Sequence, residues 1–188
     1  MNWVHRRLCR SARWRETVET RILPWVLDGV DLGTDALEVG PGPGITTDLL
    51  APRVSRLTCI EIDKALAASL AKRTAGRNVT VVHGDATAMS FPCASFDSAV
   101  CFTMLHHVPS AALQDRLLSQ VWRVLRPGGV FAGVDSRKSR GFGLLHLFDT
   151  MVVVDPATFP RRLETAGFTE VQVAVNEFAF RFRARRPL

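Results

Sequence analysis

One stretch limits what this chain can fold into: Leu37-Glu38-Val39-Gly40-Pro41-Gly42-Pro43-Gly44-Ile45-Thr46-Thr47. The short apolar run of Ala36, Leu37 and Val39 predicts a buried parallel strand, and the alternating glycines behind it predict a turn. Gly40, Gly42 and Gly44 carry no Cβ, so the main chain can take positive φ and a flat or charged ligand can approach it closely. Thr46 and Thr47 suit the cap and first turn of a helix whose free N–H groups point back at that ligand. A second strand follows in Arg56-Leu57-Thr58-Cys59-Ile60-Glu61-Ile62-Asp63, and an acid at its end, about 20 residues past the glycines, can accept both hydroxyls of a ribose. Glu61 is that acid, and the ligand it points to contains adenosine.

The glycine spacing narrows the choice. A nicotinamide fingerprint, G-x-G-x-x-G, would place its third glycine at Ile45 or Thr47. The chain instead reads E-x-G-x-G-x-G and resembles the first motif of the class I S-adenosylmethionine (SAM)-dependent methyltransferases. The likeness continues in register with Glu61 in a second motif, Gly84-Asp85-Ala86 in a third, Phe96-Asp97-Ser98-Ala99-Val100 in a fourth and Leu125-Arg126-Pro127-Gly128-Gly129 before a fifth strand.

The resemblance implies a Rossmann-like α/β fold: a mostly parallel seven-stranded sheet, helices on both faces and a C-terminal antiparallel hairpin. It implies SAM as cofactor and S-adenosylhomocysteine as product, with no metal. Gly40, Gly42 and Gly44 would pack against the methionine portion and ribose, with Glu38 beneath the amino group. Glu61 would take the ribose hydroxyls, and Ile62 would lie along the adenine. Asp85 and the Ala86 amide would meet the adenine edge, and Phe102 completes the cofactor set. Taken alone, Asp85 also reads as a turn or cap acid ahead of Ala86-Thr87-Ala88.

The acceptor is less closely specified. The first half is similar to the ribosomal RNA adenine dimethyltransferases, but where their fourth motif has Asn and Pro this chain has Phe102-Thr103-Met104-Leu105-His106-His107-Val108. From Phe96 onward it resembles the ubiquinone/menaquinone-biosynthesis-like enzymes, whose Leu-His-His-Val-like segment follows the fourth strand. The expectation is therefore methyl transfer to an O, N or C nucleophile of a small molecule, lipid-like or aromatic. RNA is the second acceptor class, and a SAM-binding regulatory or partner protein without turnover is the third reading. His106, His107, His146 and Asp135 are the candidate bases, and an imidazole near pKa 6.5 suits proton removal at neutral pH. Of these, His106, His146 and Asp135 are put forward as catalytic.

Along the chain, strands are expected near 36–40, 56–62, 79–84, 96–102 and 129–135, and helices near 45–51, 64–74 and 110–125. Residues 1–30 are expected to form a helical cap, broken in two at Pro24. Residues 31–136 would form the SAM-binding core and 137–188 the substrate side, within one domain. In the helix from Ser110, Leu113, Leu117, Leu118, Val121, Trp122 and Leu125 share one face, while Gln114, Asp115, Arg116, Ser119 and Arg123 lie elsewhere. Phe142 to Val154 reads as a lid for an apolar substrate or as a core helix. Val171, Val173 and Val175, then Phe178, Phe180 and Phe182, alternate with other residues as two strands of a hairpin.

Net charge is +6, but the arginines concentrate at the two ends: residues 1–21 hold six against two acids, and residues 178–188 hold four and no acid. The body between them is not basic. Cys9, Cys59, Cys93 and Cys101 form no C-x-x-C pair and read as buried free thiols of a reducing compartment. No apolar run reaches the ~20 residues of a membrane span, and the N-terminus lacks the apolar core of a signal peptide. A cytoplasmic location is expected.

Overall fold

The computed structural model describes residues 11–137 and 151–188. Its central strand, β1 (Asp35–Val39), is buried along its whole length because strands flank it on both sides. It pairs in parallel with β2 (Arg56–Glu61) and β4 (Phe96–Phe102). With β3 (Val79–His83), β5 (Leu125–Ser136), β6 (Thr169–Val175) and β7 (Ala179–Arg185), the sheet has seven strands in the order β3-β2-β1-β4-β5-β7-β6. The first five run parallel, and β7 inserts antiparallel between β5 and β6. This is the architecture the resemblance implies.

Alternation along the strands divides the core in two. On one face, α1 (Ala12–Thr17), α2 (Leu23–Leu27), α3 (Ile45–Leu50) and α4 (Lys64–Arg73) cover Leu57, Cys59, Val100 and Ala132. On the other, α5 (Ala111–Val124) and α6 (Phe159–Thr165) cover Leu37, Val39, Ala99 and Cys101. Phe182 of β7 meets Phe131 edge-on at 4.9 Å and Phe159 at 5.0 Å, and such pairs add about 0.5–1.5 kcal/mol beyond their burial. The alternating phenylalanines of β7 thereby weld the hairpin to the parallel sheet.

Several local expectations change in three dimensions. Pro24 does not break the helix: Val18–Ile22 forms a π-helical turn in which the Leu23 N–H bonds Val18 O. Pro24 then falls in the first turn of α2, where its missing donor matters least. Gln114, placed off the apolar face by periodicity, is buried. Its amide donates to Leu105 O at 3.1 Å and Val152 O at 2.8 Å, and its oxygen accepts from Arg162. β5 starts at Leu125 rather than near Gly129, because the register slips between Phe96 and Ser98 and bulges out Arg126–Gly129. Phe178 lies in the hairpin turn and is 71% exposed.

Cys59 and Cys101 are buried free thiols, Cys93 is an exposed one, and Cys9 lies outside the described residues. So do residues 1–10 of the N-terminal cap and most of the Phe142–Val154 segment. Among the described residues no helix is long and apolar enough to cross a membrane.

Candidate functional site

A cavity of about 560 Å³ opens at the C-terminal ends of the parallel strands, where the strand order reverses between β1 and β4. Open α/β sheets bind ligands at such a switch point, and the volume lies within the usual range for small-molecule sites. One side is built from the loops after β1, β2 and β3, through Gly40, Gly42, Glu61, Ile62, Asp85 and Ala86. Trp14, Val18 and Ile22 of the N-terminal helical run form a second wall, and Phe102, Met104, His107, Val108, Leu113 and Leu117 a third.

Gly42 and Gly44 do different work. Gly42 has φ +55° and nothing within 4 Å of where a Cβ would stand, so its bare backbone faces the cavity. Gly44 has φ +85° and is absent from the cavity wall; a Cβ there would overlap Leu70 and the Arg73 guanidinium. Its smallness lets α3 and α4 approach one another. Arg73 also donates to Pro43 O at 3.2 Å and Gly44 O at 3.1 Å and to Asp48 at 2.6 Å, which ties the loop to α4.

The acids separate likewise. Glu61, 6% exposed, accepts the Gly42 N–H and the Asp63 N–H, each at 2.9 Å. Its carboxylate thus stands in the cavity wall with the glycine loop fastened to it, and its remaining lone pairs suit a diol. Asp85 lines the cavity and also caps the next turn, accepting the Thr87 N–H at 2.7 Å. Ile62 is 68% exposed at the cavity, an apolar surface on which a flat ring can lie. Glu38 sits behind the loop, buried, and is absent from the wall. It accepts from the hydroxyls of Thr46 and Thr47 and, at 3.4 Å, from the Cys59 thiol. Burial pushes its carboxyl above the usual range against the pull of those donors.

After β4 the chain turns through Leu105–His107, and here the two histidines take different surroundings. His106 and Asp135, the two described residues put forward as catalytic, are both buried and do not line the cavity. Asp135 accepts the His106 N–H at 3.0 Å and lies 2.5 Å from its Nδ1, so the pair locks the turn to the end of β5. His107 is the histidine on the cavity wall, its ring 4.2 Å from that of His106. His106 O accepts from Val152 N at 2.8 Å, and Gln114 holds Leu105 O. His146 lies outside the described residues.

Sequence reasoning passed over Trp14, Val18 and Ile22 as site residues. Their spacing of four was the signal, since it aligns one side of a helix. Leu113 and Leu117 carry the same spacing in α5. Among the described residues no three His, Cys, Asp or Glu side chains gather as a metal-binding group.

The cavity and its frame have relatives. Residues 37–133 match a family model described as a methyltransferase domain. A probable S-adenosylmethionine-dependent methyltransferase of Mycolicibacterium smegmatis is 34% identical over 150 residues, covering 78% of this chain and 56% of that protein. A probable ribosomal RNA small subunit methyltransferase A of Pyrobaculum islandicum is 40% identical over 86 residues, 45% of this chain and 36% of its own. The chain thus matches from about a third to just over half of these relatives' length. A solved Pyrococcus horikoshii OT3 protein superposes with TM-score 0.80 at 17% identity, covering 95% of this chain and 93% of that one.

Proposed function

The chain belongs to the methyltransferase-domain family, and from that premise we propose that it moves a methyl group from SAM to an O, N or C nucleophile of a small apolar molecule. The observation that carries the acceptor class is the cavity's composition. Its three carboxylates, Glu61, Asp63 and Asp85, stand on the β2 and β3 side, while the wall from the N-terminal helix and α5 is apolar apart from the turn bearing His107.

The residues present fit the cofactor: an open backbone at Gly42, a carboxylate at Glu61 and an apolar face at Ile62. Glu61 would hold the ribose diol, and Asp85 and Ala86 the adenine edge. Gly40 and Gly42 would flank the methionine chain, with Phe102 beside it. Bound SAM supplies a methyl group already activated on sulfur. What remains for the protein is to exclude water and align the nucleophile, which can lower the barrier by several kcal/mol. Trp14, Val18 and Ile22 serve the first task. His107 serves the second and can take the nucleophile's proton at its imidazole, on a turn that His106, Asp135 and Gln114 hold still. The chain is read as one domain in which Trp14, Val18 and Ile22 of the N-terminal helical part wall the cavity, whereas none of the described residues of 137–188, expected on the substrate side, lines it.

An RNA acceptor is the second reading, supported by the likeness to ribosomal RNA enzymes over 86 residues. It draws less support from the basic C-terminal end. Arg181 donates to Trp25 O, Arg183 to Gly29 O and Arg186 to Trp122 O and Arg123 O; these guanidiniums bond backbone carbonyls within the fold.

Calorimetric titration with S-adenosylhomocysteine, with NAD as control, tests the cofactor. Labelled SAM offered with a small-molecule extract and with total RNA then tests the acceptor. Micromolar binding of the homocysteine product alone, label in the small-molecule pool, and transfer lost in His107→Ala at unchanged product affinity are the expected results. Label in RNA alone overturns the acceptor class, and binding of neither ligand overturns the whole reading.

A further inference from the structure

β4 ends beside the glycine loop on a strained residue. Thr103, the first residue past the strand, has φ +50°, a conformation that β-branched residues rarely adopt. Its N–H donates to Val134 O at 2.8 Å, so β5 holds it there. The reversal folds Met104 back over Gly40, where an added Cβ would stand 3.0 Å from the thioether methyl. Glycine or asparagine would take this backbone at lower cost. What threonine adds is a hydroxyl, and Thr103 lies on the cavity wall. The hydroxyls of Thr46 and Thr47 are engaged by Glu38, whereas among the described residues the Thr103 hydroxyl bonds no protein group.

Register shows what that hydroxyl can meet. Val39 pairs with Cys101, so the glycine loop leaves β1 alongside Phe102 and Thr103. Glu61 lies on the opposite flank of β1, at the end of β2. Glu61 and Thr103 thus stand on opposite sides of the glycine loop in the wall of the same cavity, so a nucleoside held at Glu61 would reach Thr103 through its 5′ substituent, which in SAM begins with the sulfonium.

We propose that Thr103 is a cofactor-discriminating residue, its hydroxyl oxygen set against the sulfonium centre. The oxygen accepts the polarised C–H groups of the S-methyl and faces the positive charge, so the methylated cofactor is held more tightly than its neutral product. The inference rests on the SAM reading of the cavity. C–H···O contacts are individually weak, and one such site favours SAM over S-adenosylhomocysteine about two- to fivefold. That bias opposes product inhibition.

The test titrates SAM and S-adenosylhomocysteine separately into the wild type and into Thr103→Ser, Thr103→Ala and Thr103→Gly, with thermal unfolding of each. Wild type and the serine variant are expected to prefer SAM about two- to fivefold. The alanine and glycine variants should bind both alike, with product affinity unchanged, and the glycine variant should unfold no earlier than wild type because its backbone is relieved. A preference that persists in the glycine variant, or is missing in wild type, overturns the inference while leaving the cofactor reading intact. Binding of neither ligand to wild type removes the cofactor reading and the inference with it.

Discussion

Asp97→Asn separates the acid that holds the sheet from the acid proposed to hold the cofactor. Asp97 Oδ2 accepts the Thr34 N–H at 2.9 Å, the Thr34 hydroxyl at 3.0 Å and the Asp35 N–H at 2.9 Å, and Oδ1 meets Arg126. The start of β4 is thereby tied to the start of β1, far from the cavity at the strands' other ends. Burial works against the ionised carboxylate, but the Asp35 N–H, Arg126 and Thr34 outweigh it and hold the group at about 2, down from 3.8. At 1.36 kcal/mol per unit that fall corresponds to about 2.5 kcal/mol, and with the side chain 30% exposed we expect about 2 kcal/mol. For a chain of this size the loss lowers Tm by about 4–8 °C. Because the folded pKa is depressed, the contribution is fully present above the unfolded value and disappears as pH falls through the folded one, with about half gone near pH 3. Urea unfolding of wild type and variant at pH 7, 5, 4 and 3 should show a constant gap down to pH 5 that narrows to about half at pH 3. Affinity for S-adenosylhomocysteine should be unchanged. A gap that persists undiminished at pH 3, or a drop in product affinity as large as that of a Glu61 variant, would refute the reasoning.

Glu61→Gln is expected to weaken binding of S-adenosylhomocysteine by about tenfold or more in calorimetry, because hydrogen bonds to a charged group contribute about 1.5–3 kcal/mol. Gly44→Ala should lower stability by about 1–3 kcal/mol through overlap with Leu70 and Arg73. Gly42→Ala, with open space around it, should show a larger effect on product affinity than on Tm; the reverse order in the two glycine variants would contradict their assignment. Gln114→Leu leaves Leu105 O and Val152 O without their donor and should cost about 1–3 kcal/mol in denaturant unfolding. If His107 acts through its position, the same variant lowers methyl transfer more than product affinity.

Much of the fold was legible in the chain because its signals are local. A short strand with an apolar run of Ala36, Leu37 and Val39, glycines at alternate positions and an acid at the end of the next strand need no distant contact to be recognised. The same holds for the alternating phenylalanines of β7. The misplaced details share an opposite property. Gln114 looks solvent-facing by helical period and is buried because Leu105 O and Val152 O, far apart in sequence, need a common donor. Pro24 looks like a break and is carried by a π-helical turn. Phe178 fits the strand alternation, but the Asn176 side chain accepts from the N–H groups of Phe178 and Ala179 and closes the turn there.

The candidate site divides along the same line. The sequence by itself brought together the half proposed to hold the cofactor, since Gly42, Glu61 and Asp85 each stand at or just past the end of a strand and parallel strands bring such ends to one edge of the sheet. Of the two adjacent histidines it put forward His106, and no local pattern shows which of the pair faces the cavity. Only the tertiary structure decided that His106 turns inward to Asp135 while His107 faces the cavity. Neighbours on a one-turn helix point in different directions, and which of them meets the interior depends on where β5 ends.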